Sequence, residues 1–433
     1  MPEEEEGLAP VPPRADNGTE AQKPLYFPGM EVLAPMVRAS TLPLRLQCLR
    51  YGADLVYGEE IVDKKFIGCE RVENTAFGLV DFVSPREKVA VFSTCAEERS
   101  RVIFQMGTAD AALATQAALV VCNDVRGIDI NMGCPKSFSV KGGMGAALMA
   151  TPEIAADILK TLRRNLPSSC ALTCKIRMLP DAQKTREYMQ LCERSGAEAI
   201  AVHMRLREER PVEPAHWNEI VKLWDAVKVP VLANGDFFTR RQIEEFWKHL
   251  GGEPGAAGVE DPAARWQGPS GLMIARGAMW DPSIFCRPGV RVPPPFEEVV
   301  KSYTRLAVSS NSTYQNTKWV LNTMLAGGTG VTPPSTFNGE VMKHFNRKVG
   351  AAKTMAAICA LVGEPFEAAA MPPRSHTTMY YRGEAKAAAG VGKAATAGAR
   401  PPAEEADAEG EEAEGGPLKK RRRDDAADGG AGG

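Results

Sequence analysis

The sequence predicts an α/β fold: a closed barrel of eight parallel strands separated by helices, and then a small all-α domain. Eight short apolar segments alternate with stretches of helical periodicity between residues 31 and 278. These segments are continuously apolar, as expected for strands covered on both faces, and each ends in polar or glycine-rich residues. Beyond the proline-rich residues 287–295, only helical patterns remain. Together these observations predict a (β/α)8 TIM barrel followed by helices.

The predicted barrel strands can be given in chain order. They are EVLAPM (31–36), ADLVYGEEI (53–61), VIFQMG (102–107), GIDINMG (127–133), LTCKIRML (172–179), AIAVHMR (199–205), VPVLANGDF (229–237) and GLMIARGA (271–278). Between the second and third strands, LVDFVS and KVAVFS predict a hairpin that decorates the barrel. Helical periodicity follows the third and fourth strands, around Leu113–Val120 and Ile154–Leu162, and Pro152 marks a helix start.

A small helical bundle is predicted over residues 296–363, where apolar residues recur at helical spacing. Lys343 and Arg347 stand four residues apart and give this bundle a basic surface. Such a surface is equally consistent with a solvated helix face.

Composition divides the chain into four parts. Residues 1–24 form an acidic tail and residues 371–433 a low-complexity tail, both too poor in large apolar residues to fold. The barrel is assigned to residues 25–290, with a polar surface insertion at 251–270, and the helical domain to residues 291–370. The second tail contains the basic run KKRRR, which fits a nuclear import signal or a solvated charge run and leaves the location cytoplasmic, nuclear or both.

Charge and cysteine content narrow the class of protein. Residues 1–24 carry −4 and residues 383–433 carry −3, so the body between them carries +5 of the total −2. This excess permits a polyanionic partner without requiring one. Ten cysteines without a C-x-x-C pair, and only five histidines, argue against a metal site or a disulfide framework. No run of 18 apolar residues occurs and the N-terminus is acidic, so neither a membrane span nor a secretory signal is expected.

Polar side chains cluster at the predicted carboxyl ends of the strands, where barrels of this type carry their active sites. In strand order they are Pro35 and Met36, Glu59 and Glu60, Gln105, Asn131 with Cys134, Lys175 and Arg177, His203 and Arg205, Asn234 with Gly235 and Asp236, and Arg276 with Gly277. The glycine-rich ends of the last two strands stand where such barrels hold a phosphate.

Several of these residues also have ordinary structural interpretations. Lys175 is equally consistent with a solvated lysine, Gln105 with a loop amide and His203 with a buried imidazole. Glu59 and Glu60 are interpreted as one structural and one solvent-facing carboxylate. Cys134 is different, because N-M-G-C-P places it directly after a buried strand in a loop held by glycine and proline.

These motifs resemble the flavin-dependent tRNA dihydrouridine synthases. The resemblance spans residues 30–365 and rests on APMVRASTLPLR, FQMGT, DINMGCPK, KGGMGAAL, CKIRML, VHMR, ANGD and ARGAMWDPSIF. It is closest to the eukaryotic type 2 branch, whose members reduce the uridine at position 20 of the tRNA D-loop. Met204 replaces the glycine that usually follows the histidine in this family, which predicts added bulk beside the flavin.

The resemblance implies a role for each site residue. FMN would be bound by Pro35, Met36, Val37, Gln105, Lys175, His203, Asn234, Gly235, Asp236, Ala275 and Arg276. The tRNA would be contacted by Arg38, Asn131, Lys136, Lys141, Arg177, Lys343 and Arg347. Cys134 would donate a proton to C5 of the uracil after hydride from FMN reaches C6. No metal is implied, and the chain is expected to act as a monomer.

The expected activity is therefore the reduction of a D-loop uridine to 5,6-dihydrouridine, with NADPH or NADH as hydride donor. One alternative is a small-molecule FMN oxidoreductase built on the same barrel, against which the basic helical domain argues. A second is an RNA-binding protein with a relic barrel, against which the intact set of Cys134, Lys175 and Gln105 argues.

Overall fold

The computed structural model describes residues 25–251, 268–326 and 339–366. The two tails and most of the insertion at 251–270 therefore lie outside the described residues, and the predictions made for them stay predictions. The division of the chain into a barrel domain and a tRNA-binding domain likewise stays a prediction.

The strands are short and lie in two sheets. They are β1 (Met30–Leu33), β2 (Leu55–Tyr57), β3 (Ile61–Val62), β4 (Glu70–Asn74), β5 (Leu79–Val83), β6 (Ala90–Cys95), β7 (Val102–Gly107), β8 (Gly127–Asn131), β9 (Ala171–Met178), β10 (Ala199–Leu206), β11 (Val231–Asn234) and β12 (Gly271–Ile274). Eight of them pair in parallel in the order β2-β1-β12-β11-β10-β9-β8-β7, and pairing of β2 with β7 closes the ring. The predicted TIM barrel is thus confirmed.

Each predicted strand segment contains a barrel strand, but the first two segments end differently. The segment 31–36 stops as a strand at Leu33, because Pro35 follows and only Ala34 N still donates to Ile274 O, at 2.8 Å. The segment 53–61 divides into β2 and the two-residue strand β3, which pairs with β7. The predicted hairpin is confirmed as β5 and β6, and β4 adds a third antiparallel strand that was not predicted.

The barrel strands are buried on both faces. Inside the ring lie Met30, Val32, Tyr57, Ile103, Ala201, Leu232 and Met273. The outward side chains, such as Ile200 and Val202, join the larger core beneath the helices. Each fully buried Leu, Ile or Val contributes about 1.5–3 kcal/mol relative to an exposed one, so this double burial stabilises a continuously apolar strand.

Helices surround the barrel and continue beyond it. They are α1 (Leu42–Tyr51), α2 (Asp63–Phe66), α3 (Ala111–Val121), α4 (Ser137–Lys141), α5 (Pro152–Asn165), α6 (Ala182–Arg194), α7 (Arg240–His249), α8 (Arg276–Trp280), α9 (Phe296–Ser309), α10 (Tyr314–Ala326), α11 (Gly339–Ala351) and α12 (Met355–Val362). Pro152 begins α5, as predicted, and the Asp110 carboxylate caps α3 by accepting from Leu113 N at 2.8 Å.

The helices α9 to α12 pack on one another, and α9 packs directly on the barrel helix α1. The side chain of Gln47 donates from Nε2 to the backbone oxygen of Val299 at 2.7 Å, and Val299 is fully buried. Tyr303, Val320 and Ile358 belong to the same hydrophobic core as the outer face of the barrel. Within the described residues, no helix combines the length and the apolar character needed to cross a membrane.

Candidate active site

The register of the barrel brings the predicted site residues to one mouth. Asn131 lies opposite Lys175, Arg177 opposite His203, and His203 opposite Asn234 across neighbouring strands. Because all of these strands run in parallel, their carboxyl ends meet at the same end of the barrel. The sequence prediction that these groups share one site agrees with this arrangement.

A buried carboxylate organises the floor of this mouth. Asp129 on β8 is fully buried, and its two oxygens accept hydrogen bonds from Gln105 Nε2 at 2.7 Å and Thr173 Oγ1 at 2.6 Å. Burial raises the pKa of Asp129 to about 6, while these two bonds and the charge of Lys175 oppose the rise. The hydrogen bond from its amide nitrogen to Asp129 thereby fixes the orientation of the Gln105 side chain.

Lys175 is a partly buried cation without a hydrogen bond or salt bridge to any of the described residues. Burial, followed by the positive charge of Arg177, lowers its pKa to about 8. The negative groups Asp129 and Glu60 oppose this shift. The ammonium is therefore mostly protonated at neutral pH, and it is available to an anionic or hydrogen-bond-accepting ligand.

Cys134 lies in the loop after β8, and Asn131 holds that loop. The side-chain oxygen of Asn131 accepts from the backbone N–H groups of Gly133 and Cys134, both at 3.0 Å. Burial, and then the negative charge of Glu60, raises the pKa of the Cys134 thiol above its usual value of 9.0. A thiol with a raised pKa stays protonated at neutral pH, so Cys134 is suited to donate a proton.

Glu60 lies next to this thiol, and its role was not predicted from the sequence. Its Oε1 is buried and accepts no hydrogen bond from the described residues. Burial raises the pKa of Glu60 to about 6. Glu59 and Glu60 are both partly buried, and Glu59 Oε2 accepts from Arg38 N at 3.1 Å, so the expectation of one structural and one solvent-facing carboxylate stays a prediction.

A cluster of ion pairs joins the ends of β10, β11 and β12. Arg205 Nη2 donates to both carboxylate oxygens of Asp236, at 2.7 and 2.6 Å, and Arg276 Nη2 donates to Oδ1 at 2.8 Å. Arg205 Nη1 lies 3.1 Å from His203 Nε2, which must accept because the guanidinium only donates. Burial and the surrounding cations lower the pKa of His203 well below its usual value, so the imidazole is neutral.

These strand ends line a shared cavity. His203, Asn234, Gly235, Ala275 and Arg276 are all part of its wall. With Asp236, which also lines it, the cavity contains six of the residues that the sequence assigned to the flavin.

The wall of this cavity requires a glycine at position 235. Gly235 has φ 137°, a conformation that side chains other than hydrogen rarely allow, and a Cβ there would lie 2.8 Å from that of Ala215. The bare backbone at Gly235 and the guanidinium of Arg276 fit a phosphate, and the free ammonium of Lys175 fits the polar edge of a flavin ring. The residues present are thus suited to hold FMN.

The remaining predicted residues lie around the rim of the mouth. Pro35 and Met36 are partly buried, whereas Val37 is 56% exposed and Arg38 is exposed with φ 67°. Arg177 is buried, and its Nη1 donates to the backbone oxygen of Leu206 at 2.7 Å. Arg177 therefore supports the strand β10 in addition to lining the cavity.

Lys136, Lys141 and Arg347, three of the residues predicted to contact tRNA, do not line the cavity. Lys136 and Lys141 are exposed at the two ends of α4, and Arg347 is exposed on α11. Lys343 belongs to α11, but its side chain lies outside what the structure describes. The described residues contain no cluster of three or more possible metal ligands.

Met204 does not add bulk beside the flavin site, contrary to the sequence expectation. Side chains alternate across β10, so His203 points into the mouth while Met204 is fully buried in the core beneath the helices. The replacement of glycine by methionine therefore fills the space between the barrel and its helices.

Asp129 was not singled out from the sequence, and Arg205 was named among the strand-end residues but was given no role. The signal for both was the alternation along their strands, since Asp129 is two positions before Asn131 and Arg205 two positions after His203. Residues two apart on a strand share a face, so the side chains of Asp129 and Arg205 are expected to point the same way as those of Asn131 and His203.

With the geometry in place, comparison with known proteins identifies the family. The sequence model of the dihydrouridine synthase (Dus) family matches residues 32–318, which begin in β1 and end in α10. The chain belongs to the dihydrouridine synthase family. The matched region contains all of the closed barrel except the first two residues of β1, both glutamates at the rim and every residue of the ion-pair cluster.

Curated relatives agree with this membership. The tRNA-dihydrouridine(20) synthase [NAD(P)+] of Saccharomyces cerevisiae is 38% identical over 317 residues, which are 70% of this chain and 78% of the yeast protein. Its Schizosaccharomyces pombe counterpart is 37% identical over 317 residues, 70% of this chain but 61% of that protein. A human tRNA-dihydrouridine(20a/20b) synthase [NAD(P)+]-like protein is 31% identical over 257 residues, 59% of this chain and 70% of that protein.

Proposed function

We propose that this chain reduces a uridine in the D-loop of tRNA, at position 20, to 5,6-dihydrouridine. FMN would be the bound cofactor, and NADPH or NADH would supply the reducing equivalents. The substrate is proposed from the names of relatives that are 37–38% identical, both of which are tRNA-dihydrouridine(20) synthases.

The observation that carries this proposal is the meeting of a protonated thiol with a free ammonium at one barrel mouth. Cys134 follows β8, and Lys175 lies on β9 opposite Asn131, which holds the Cys134 loop. Uracil is a conjugated enone, so its reduction needs a hydride donor at C6 and an acid at C5. FMN, when bound, would supply the hydride, and the chain would supply the acid.

The chain's own residues account for the proton transfer. In this step the S–H bond of Cys134 breaks, the proton goes to C5 of the uracil, and a thiolate remains until solvent reprotonates it. The raised pKa keeps the thiol protonated at neutral pH and makes the thiolate short-lived. Asn131 fixes the loop through two backbone N–H groups, which holds the sulfur in a constant position.

The exposed basic residues around the mouth support an RNA substrate. A stacked uridine hides its C6, so the base must leave the loop and enter the barrel. Arg38, Lys136 and Lys141 are exposed and lie beside the strand ends, where phosphates of the flanking nucleotides would approach. Arg347, and Lys343 with it, would contact the RNA farther away.

Location and assembly belong to the same proposal. The KKRRR run at Lys419–Arg423 supports import into the nucleus for part of the protein, which would otherwise be cytoplasmic. We propose a monomer as the active form.

Purification of the protein tests the cofactor assignment. The protein should be yellow with non-covalently bound FMN, and NADPH should bleach it under anaerobic conditions without tRNA. Gly235→Val is the matched variant, because its side chain would enter the cavity wall beside Ala215 and should prevent FMN binding. A colourless wild-type preparation that takes up no FMN would contradict the proposal.

A further inference from the structure

A buried hydroxyl without a hydrogen-bond partner lies close to the proposed proton donor. Ser139 is on α4, five residues after Cys134, and it is fully buried. Its Oγ forms no hydrogen bond with any of the described residues. Burial also keeps bulk water away from this group, so the Ser139 hydroxyl is an unused donor inside the protein.

The backbone of Gly145 shows that the Ser139 hydroxyl and Cys134 are neighbours. Gly145 has φ 58°, in the left-handed region. A Cβ added at this position would overlap Ser139 Oγ and would lie 3.0 Å from Cys134 Cβ. The hydroxyl and the carbon that carries the sulfur therefore border the same small space, which a glycine leaves open.

Backbone hydrogen bonds hold the two residues in this arrangement. Ala146 N donates to Cys134 O at 2.9 Å, directly after Gly145. Met144 N donates to Ser139 O, also at 2.9 Å. The serine and the cysteine are thus both bonded to the short segment around Gly145, which keeps their side chains at a constant separation.

The Ser139 hydroxyl favours the thiolate form of Cys134. Burial, followed by the charge of Glu60, raises the pKa of this thiol, and a hydrogen bond from Ser139 to the charged form opposes the rise. The backbone N–H of Lys136 and the ammonium of Lys175 act in the same direction as Ser139. Since Ser139 Oγ has no partner while the thiol is neutral, its hydrogen bond to the sulfur forms as negative charge develops there.

A donor of this kind contributes to catalysis and not to the stability of the resting protein. A buried polar group without a partner is unfavourable in the folded state, whereas a hydrogen bond to a charged group is stronger than one between neutral groups. Interactions that are stronger with the developing charge than with the neutral group lower the barrier of the step that creates the charge. In this protein that step is the loss of the proton from Cys134.

We infer that Ser139 is a positioning residue for the proton donor and stabilises the thiolate that remains on Cys134. As the S–H bond breaks, the proton goes to C5 of the uracil and the electron pair stays on the sulfur, which accepts a hydrogen bond from Ser139 Oγ. Ser139 keeps its own proton, and reprotonation of the sulfur by solvent ends this hydrogen bond. The inference rests on the proposed function, in which Cys134 is the acid.

Glu60 and Ser139 act on the thiol in opposite directions, and both effects serve the same step. Burial and the charge of Glu60 keep the thiol protonated until the uracil is in place. An acid whose pKa is raised too far donates its proton slowly. The hydroxyl of Ser139 limits that loss of acid strength.

Alkylation of Cys134 in the purified full-length protein tests the inference without NADPH or RNA. Iodoacetamide reacts with the thiolate, so its rate at a pH below the pKa reports the thiolate fraction. Peptide mass spectrometry separates Cys134 from the other cysteines. Ser139→Ala removes the hydroxyl, and Ser137→Ala, at the exposed start of the same helix, is the matched control.

Ser139→Ala should be alkylated at Cys134 about 10–100-fold more slowly than wild type at neutral pH, as expected for the loss of one hydrogen bond to a charged group. The two rates should converge at a pH that ionises both thiols, because access to the sulfur is unchanged. Ser137→Ala should match wild type at every pH. Reoxidation of pre-reduced Ser139→Ala by tRNA should also slow, while bleaching by NADPH should not.

Urea unfolding separates this role from a packing role. Ser139→Ala removes a buried group that has no partner, so the variant should unfold at the same urea concentration as wild type or at a higher one. A marked loss of stability would make Ser139 a structural residue and would overturn the inference.

Two further results would overturn the inference. Equal alkylation rates in wild type and Ser139→Ala at every pH would show that the hydroxyl does not act on the thiolate, and they would leave the proposed function intact. Slower alkylation with unchanged reoxidation by tRNA would show that the thiolate has no part in that rate. A wild-type enzyme that forms no dihydrouridine would contradict the proposed function and the inference with it, whatever the alkylation rates.

Discussion

Arg205 and Asp236 form a bidentate salt bridge between the carboxyl ends of β10 and β11, with distances of 2.7 and 2.6 Å. Arg205 also donates to the backbone oxygen of Glu213 at 2.8 Å, and its side chain is only 2% exposed. The pair therefore holds the wall of the candidate cofactor cavity in place. Asp236 neutralises part of the charge of Arg205 and Arg276, which leaves the cavity moderately positive.

Replacing Arg205 with methionine should destabilise the protein and weaken FMN binding. The change removes the guanidinium that pairs with the Asp236 carboxylate. Breaking a buried salt bridge by removing one partner costs about 3 kcal/mol in the free energy of unfolding. Urea unfolding and titration with FMN measure the two effects. Arg241→Met is the control, because its pair with Glu245 is exposed and its loss should have no measurable effect. Equal stability of Arg205→Met and wild type would contradict this account of the pair.

Cys134→Ala should separate the two half-reactions. The variant should keep FMN, tRNA affinity and bleaching by NADPH, since none of these uses the proton of the thiol. Reoxidation of the pre-reduced enzyme by unmodified tRNA should slow by roughly 10²–10⁴-fold, the contribution of a positioned general acid. Anaerobic stopped-flow spectroscopy measures it. Serine should restore little, because its hydroxyl is a much weaker acid than a thiol.

Equal reoxidation rates in wild type and Cys134→Ala would make Cys134 a packing residue. A variant that NADPH cannot reduce would instead place Cys134 in flavin binding.

Burial raises the pKa of Cys134, and the pH dependence of tRNA-driven reoxidation should show that the charge of Glu60 raises it further. The protonated thiol is the active form, so the rate falls as pH rises through that raised pKa. Glu60→Gln removes a negative charge beside the thiol and should lower its pKa, because the thiolate is no longer repelled. The falling limb of the pH profile should therefore move to lower pH.

Glu59→Gln serves as the control for this shift, since the Glu59 carboxylate accepts from Arg38 N and is not among the main groups that shift the pKa of Cys134. A falling limb that keeps its position in Glu60→Gln would show that Glu60 does not govern the proton donor.

Lys175→Met should impair reduction of the enzyme by NADPH. The substitution keeps the length of the side chain but removes the free ammonium, which would otherwise stabilise negative charge at the flavin edge. Removing one such preorganised group costs about 10²–10³-fold in rate. The rate of bleaching is measured at saturating FMN. Lys160→Met, on the exposed face of α5, should bleach as fast as wild type, and equal rates for both variants would contradict the role of Lys175.

Deleting residues 383–433 should leave tRNA reduction unchanged and move a tagged protein out of the nucleus. The expected cause is loss of the Lys419–Arg423 run, so replacing those five residues with alanine should have the same effect. Fluorescence microscopy measures the distribution. Identical distributions before and after the deletion would favour a solvated charge run.

Much of the barrel could be predicted from the sequence because its strands are buried on both faces. Such strands are continuous apolar runs, and VIFQMG coincides with β7 in full. The strand β4 could not be predicted, since its residues ERVEN are largely exposed at a sheet edge and leave no apolar pattern. The residue at which a strand ends could not be predicted either. Pairing with the neighbouring strand decides where a strand ends, as where Leu33 pairs with Ile274.

Part of the site could be predicted, because the active site of such a barrel lies at the carboxyl ends of its strands. That rule identified Cys134, Lys175 and Gln105 as neighbours. It did not reveal that Glu60 and Asp129 would have pKa values near 6, because these values depend on burial among side chains distant in sequence.

The most direct test of the central claim is mass spectrometry of a tRNA transcript after anaerobic incubation with the purified enzyme, FMN and NADPH. Nuclease mapping locates any product with the mass of dihydrouridine. The account predicts this product at one uridine of the D-loop, at position 20, and its loss in Cys134→Ala. Bleaching of the flavin by NADPH with no dihydrouridine anywhere in the tRNA would contradict the account.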